Sequence, residues 1–186
     1  SLLRRTYRRR KSLRILTKHS KLPPDWAGVS KIEELLMKNK KIFITHQTRP
    51  ENVERLQKIY ADNKIHANVL SFIHDMAGAI TGADLVIGRS GASTVVELQT
   101  IGRGAILVPL GINPDQAANA ESFAKTGAGF AIEQSKFTPR WLTATLTDLF
   151  DNPSRLAKMA QKALVKNNAA DLQEFLLSNQ QDVIRF

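Results

Sequence analysis

The residues best placed to do chemistry follow three short apolar runs. After DLVIG (84–88) comes Arg89-Ser90-Gly91-Ala92-Ser93-Thr94, with Glu97 three residues past Thr94. Small residues at a turn into a helix let a ligand approach the backbone, and the first helical turn leaves N–H donors without internal partners beside a partial positive charge. That suits a diphosphate. Glu97, one turn further along the same face, could accept hydrogen bonds from a ribose diol. The competing reading is that Ser93, Thr94 and Glu97 form a capping arrangement and nothing more. After ANVLSF (67–72), Phe72-Ile73 leads into His74-Asp75-Met76, an apolar pair with free backbone groups that could hold a planar base. The simpler reading of a phenylalanine at a strand end is core. After AILVPL (105–110), Gln116 and Asn119 stand one helical turn apart, amides that can read sugar hydroxyls or tie down a loop.

These segments need elements to position them, and the sequence alternates accordingly. Short β-branched runs at 42–47, 67–72, 84–88, 105–109 and 129–133 are separated by stretches of helical spacing, among them the stripe Val53, Leu56, Ile59 and Tyr60. Strict alternation of strand and helix implies a parallel sheet covered on both faces, the Rossmann-like α/β class. In such a sheet ligands bind beyond the carboxyl ends of the strands, where all three segments lie. A further strand is expected at LRILT (13–17), loop over 18–30, helices after Pro139, and a last helix over 169–178.

Composition narrows the classes. With 42% apolar and 24% charged residues among 186, the chain reads as one globular domain of ordinary size, not as a disordered or fibrous one. No apolar stretch is long enough to span a membrane, and the arginine-dense start does not read as a secretory signal. The absence of cysteine removes disulfides, thiolate metal sites and cysteine nucleophiles, and fits a cytosolic protein. His19, His46, His66 and His74 belong to no motif, and a lone histidine is ordinarily structural or exposed, so no catalytic residue, metal or cofactor is assigned. The net charge of +10 is concentrated: residues 1–21 hold nine basic side chains and no acid, and the remaining 165 residues carry 18 basic against 17 acidic groups. The basic segment reads first as a solvated tail, then as a contact for an anionic membrane surface. Nucleic acid is the least favoured partner.

SFIHDM, ADLVIGRSGASTVVEL, AILVPLGINPDQAANA and GAGFAIEQSKFTPRWL, in this order and spacing, resemble the donor-binding half of the MurG family. That family transfers N-acetylglucosamine from its UDP derivative to the lipid-linked muramyl-pentapeptide precursor of peptidoglycan. The resemblance covers roughly residues 41–165. It implies the C-terminal domain of a GT-B glycosyltransferase, an inverting displacement without metal, and a place at the cytoplasmic face of the inner membrane. Carried over by position, Ile73 beside Phe72 would meet uracil through its backbone, Ala92, Ser93 and Thr94 would line the diphosphate, Glu97 would bind the ribose hydroxyls and Gln116 would contact the sugar, with Ser90 and Gly91 completing the expected substrate-binding set. The partners implied are UDP-N-acetylglucosamine and, through an N-terminal domain or partner chain, the lipid-linked acceptor.

Two departures are expected to matter. Where the family has a glycine-rich turn after its first strand, this sequence has Lys18-His19-Ser20-Lys21-Leu22-Pro23, which cannot reproduce the glycine geometry. The acceptor half of the family, with its base, has no counterpart here, so transfer by this chain alone is not expected. A fragment, a decayed gene product and one half of a split enzyme all fit; the alternative function is a non-catalytic module binding a nucleotide sugar or an anionic surface. The expected organisation is a basic segment over 1–30, a UDP-sugar-binding domain over 31–168 and a terminal helix and tail over 169–186.

Overall fold

The computed structural model describes residues 12–18 and 41–164. Expectations for the arginine-rich segment, the turn beyond Lys18, the loop to residue 30 and the helix over 169–178 lie outside them. The strands are β1 (Ser12–Lys18), β2 (Lys41–Gln47), β3 (His66–Leu70), β4 (Leu85–Gly88), β5 (Ala105–Leu107) and β6 (Gly129–Ala131). They form one sheet in the order β3-β2-β1-β4-β5-β6, with every neighbouring pair parallel. The expected first strand is therefore central, flanked by β2 and β4. The helices are α1 (Val53–Asp62), preceded by a 3₁₀ turn at Pro50–Asn52, α2 (Met76–Gly82), α3 (Ala92–Ile101), α4 (Pro114–Lys125), α5 (Pro139–Asp151) and α6 (Pro153–Ala163).

Each strand residue faces one side of the sheet and the next faces the other, so a doubly covered sheet needs apolar residues at consecutive positions. Ile15 and Leu16, Val86 and Ile87, and Ile106 and Leu107 supply them, all buried. On one side Leu13, Ile15, Ile42 and Ile44 pack against Leu56 and Tyr60 of α1 and against Leu142, Leu146, Leu149, Leu156 and Met159 of α5 and α6. On the other, Leu16, Val86 and Leu107 pack against Ile80 of α2, Leu98 of α3 and Phe123 of α4. Burying one such side chain contributes roughly 1.5–3 kcal/mol, and these two clusters hold the layers together. Helix starts are fixed locally. Asp75 accepts from Gly78 N at 2.8 Å, Asn113 from Gln116 N at 3.1 Å and Thr138 from Trp141 N at 3.2 Å, capping α2, α4 and α5. Gly102 closes α3 at φ 73°, where only glycine is unstrained.

β3 ends two residues before the apolar run does. Its pairing with β2 stops at Gln47 and Leu70, which leaves Ser71 and Phe72 beyond the ladder and exposed.

Candidate functional site

The strand order reverses between β1 and β4, whose last residues, Lys18 and Gly88, lie side by side. That reversal opens the crevice in which doubly wound sheets place ligands. A side chain at Gly88 would bring a Cβ within 3.2 Å of the Lys18 carbonyl oxygen, so a residue without one lets the two strands close here. From Gly88 the chain passes through Arg89, Ser90 and Gly91 into α3. Gly91 is the N-cap and no side chain caps the helix, so the expected alternative in which Ser93, Thr94 and Glu97 form a capping box is not what the helix adopts. Ala92 and Ser93 are exposed and Thr94 is buried. Their N–H groups are the first-turn donors for which a helix has no internal acceptor.

The turn is braced from behind. Nη1 of Arg89 donates to the carbonyl oxygens of Val108 and Pro109, each at 3.0 Å, and Nη2 donates to Oε1 of Gln134 at 2.7 Å. One guanidinium thus ties together the segments that follow β4, β5 and β6, and its partial burial lowers its pKa from the ordinary value. Ser90 is fully buried, and its hydroxyl donates to the Gln116 carbonyl oxygen at 2.6 Å. Asn119 returns the tie, donating from Nδ2 to the Ser90 carbonyl oxygen at 3.1 Å. Of the two amides expected to read hydroxyls or hold a loop, Asn119 holds the loop. Gln116 accepts from Leu110 N at 3.0 Å through Oε1, which leaves its NH₂ as the end able to reach a ligand. The Ser90 side chain faces inward, so any ligand contact at this position falls to its backbone.

Glu97 is engaged by a residue remote in sequence: Nζ of Lys18 donates to its Oε2 at 2.9 Å. Phe72 is 61% exposed, which replaces the core reading with an accessible ring, set edge-on to His74 with centroids 5.0 Å apart. Ile73 beside it is buried. Nearby, Thr17 Oγ1 and Gln47 Oε1 are buried without a hydrogen-bond partner among the described residues. Of the three described histidines, His66 and His74 are exposed. His46 is buried, with Nδ1 2.8 Å from the Tyr60 hydroxyl; burial lowers its pKa to about 4, so it is neutral near pH 7 and remote from solvent. Burial pushes the Tyr60 phenol up.

Two residues of consequence escaped sequence reasoning. Arg89 was visible as a charge directly after a wholly apolar strand, a signal that it must find partners at once. Nothing in the sequence marked Lys18 as the partner of Glu97. Among the described residues, no group of three His, Asp or Glu side chains gathers in a way that could hold a metal ion. A groove of about 540 Å³ lies elsewhere, on the sheet face between Arg14, Phe43, Thr45, His66, Asn68 and α2. Its lining is the middle of β1 and β2 and the amino end of β3, not the strands' carboxyl ends, so we place the candidate site at the reversal and not there.

Residues 27–176 match the glycosyltransferase family 28 C-terminal domain. The chain is 44% identical over 125 residues to the UDP-N-acetylglucosamine--N-acetylmuramyl-(pentapeptide) pyrophosphoryl-undecaprenol N-acetylglucosamine transferase of Allorhizobium ampelinum, covering 66% of this chain and 34% of that one. It is 44% identical over 138 residues to the protein of the same name from Rhizobium rhizogenes, covering 73% and 36%. It spans about a third of the length of these relatives. In structure it is similar to MurG of Acinetobacter baumannii, with a TM-score of 0.73 and 36% identity over 87% of this chain and 48% of that one. The family match takes in strands β2 to β6 together with the whole turn into α3, and the chain belongs to glycosyltransferase family 28 as its C-terminal domain.

Proposed function

We propose that the chain supplies the UDP-N-acetylglucosamine-binding half of an N-acetylglucosaminyl transfer to a lipid-linked muramyl-pentapeptide, with the acceptor and the base coming from a second domain or chain. The observation that carries this reading is the amino terminus of α3, reached through a turn of small residues at the strand reversal, with Glu97 one helical turn beyond it. In this reading the N–H groups of Ala92, Ser93 and Thr94 and the helix dipole face the diphosphate. As the anomeric bond breaks, negative charge grows on the departing UDP, and fixed donors stabilise it without having to reorganise. Glu97 accepts from the ribose diol, the Gln116 NH₂ reaches the sugar, and the uracil rests between the Phe72 ring and the backbone of Ile73. Arg89, Ser90 and Asn119 act behind the site, holding its loops in register. The described residues form no helix long and apolar enough to cross a membrane. In this reading the lipid-linked acceptor is met at the cytoplasmic face of the inner membrane. The binding unit in this reading is residues 31–168 together with the central strand β1 (Ser12–Lys18).

Calorimetric titration of the full chain with UDP and with UDP-N-acetylglucosamine tests the reading. Saturable heat for both is expected, and no heat for either at millimolar ligand removes it.

A second prediction isolates the turn. Gly91 has φ −60°, and a Cβ there would meet nothing within 4 Å, so the fold does not require glycine at this position. Gly91→Val is expected to change stability by no more than about 1 kcal/mol, the range of an altered N-cap. UDP affinity should nevertheless fall roughly tenfold or more, about 1.4 kcal/mol, because the methyls occupy the approach to the amides. Unchanged affinity in a well-folded variant would mean that no ligand passes Gly91.

A further inference from the structure

Lys18 closes the central strand. It pairs in register with Gln47 on one side and Gly88 on the other, three residues before the α3 N-cap. Its ammonium lies 2.9 Å from Glu97 Oε2, with the two side chains 26% and 37% exposed. The cation therefore stands at the strand reversal, in contact with the carboxylate assigned above to the ribose. Ion pairs of this exposure are weak, because water competes for both partners. Neither partner is saturated by one contact: an ammonium has three donors, and a carboxylate has a second oxygen. A diphosphate, with several charged oxygens, offers an ammonium more negative charge and more acceptors than a lone exposed carboxylate does.

We propose that Lys18 is the diphosphate-binding cation of this chain and a determinant of its preference for nucleoside diphosphates, leaving Glu97 for the phosphates when ligand binds. The inference rests on the donor-site reading above. Binding then exchanges one ion pair for two contacts, Lys18 with the diphosphate and Glu97 with the ribose diol. A nucleoside without phosphates must compete with Lys18 for Glu97 and offers the ammonium nothing in return, so it binds poorly. The ammonium supplies from a side chain the charge complement that a glycine-rich turn supplies from backbone N–H groups.

The test measures the affinity of the full chain for UDP, uridine and inorganic pyrophosphate at two salt concentrations, in wild type, Lys18→Met, Lys18→Arg and Glu97→Gln. Lys18→Met should weaken UDP at least tenfold and flatten its salt dependence, while uridine binds as before or a few-fold tighter. Lys18→Arg should keep most of the UDP affinity. Glu97→Gln frees the ammonium, so pyrophosphate should bind several-fold tighter and uridine more weakly; this arm stands even if Lys18→Met fails to fold. UDP binding in Lys18→Met equal to or tighter than wild type, or pyrophosphate indifferent to Glu97→Gln, overturns the role of Lys18 and leaves the donor site standing. Wild type that binds neither UDP nor uridine at millimolar concentration overturns both.

Discussion

Lowering the pH from 7 to 4 should cost the domain about 3 kcal/mol through His46 alone, since each pKa unit of difference between folded and unfolded states is worth about 1.4 kcal/mol. In the folded chain burial holds the imidazole at about 4, against 6.5 for an unperturbed histidine. The folded-state pKa is the lower one, so the unfolded chain takes up the proton first. The stabilising contribution is complete above pH 6.5 and is lost progressively as pH falls toward 4. The cause is desolvation: the ring is 1% exposed, and its Nδ1 faces a neutral phenol. Urea midpoints at pH 7, 5.5 and 4 for wild type and His46→Leu separate this residue from the carboxylates that also titrate. The variant should be less stable at pH 7, having lost the Tyr60 bond, yet lose less on acidification. Parallel losses in the two proteins would show that His46 does not carry the effect.

Gly129→Ala should be among the most damaging single-atom additions in the described structure. Gly129 pairs with Ala105 across β5 and β6, and a Cβ at this position would fall 1.9 Å from the Ala105 carbonyl oxygen and 3.1 Å from its nitrogen. Both are backbone atoms of the neighbouring strand, so no rotamer change relieves the overlap and the strands must part. The expected cost is about 3 kcal/mol or more, at the upper end for overpacking. For a chain of this size that lowers Tm by roughly 6–12 °C. Gly82→Ala is the control, because a Cβ there meets nothing within 4 Å. Function should suffer along with stability. Separating β6 from β5 draws Gln134 away from Arg89, and with it goes a brace of the turn that presents Ala92 and Ser93. If Gly129→Ala melts with wild type, the β5–β6 register is wrong.

Much of the fold was legible before any coordinates. Runs such as DLVIG and AILVP are short, rich in β-branched residues and apolar at consecutive positions, as a strand covered on both faces requires, and the intervening stretches repeat at helical spacing. Gly102 and the pairs Asn113-Pro114 and Thr138-Pro139 mark helix ends through backbone preferences that act within a few residues. Strand ends were less legible. Phe72 continues an apolar run, yet it lies outside β3, whose pairing with β2 ends at Gln47 and Leu70 with a last bond from Thr48 N to the Leu70 carbonyl oxygen. Where a ladder stops depends on the neighbouring strand, and that information is not local.

The candidate site divides along the same line. The turn of small residues before α3 and the acid in its second turn are written within nine positions, from Arg89 to Glu97, and could be read directly. The tertiary structure decided what those groups touch: Glu97 meets Lys18 from 79 positions away, Arg89 reaches Gln134 from 45, and the Ser90 hydroxyl turns inward to Gln116 from 26. Local propensity and hydrophobic periodicity choose helix or strand from neighbours along the chain. Hydrogen bonds and ion pairs at the sheet's carboxyl edge instead depend on which strands lie adjacent, and the order β3-β2-β1-β4-β5-β6 is a property of the packed sheet as a whole.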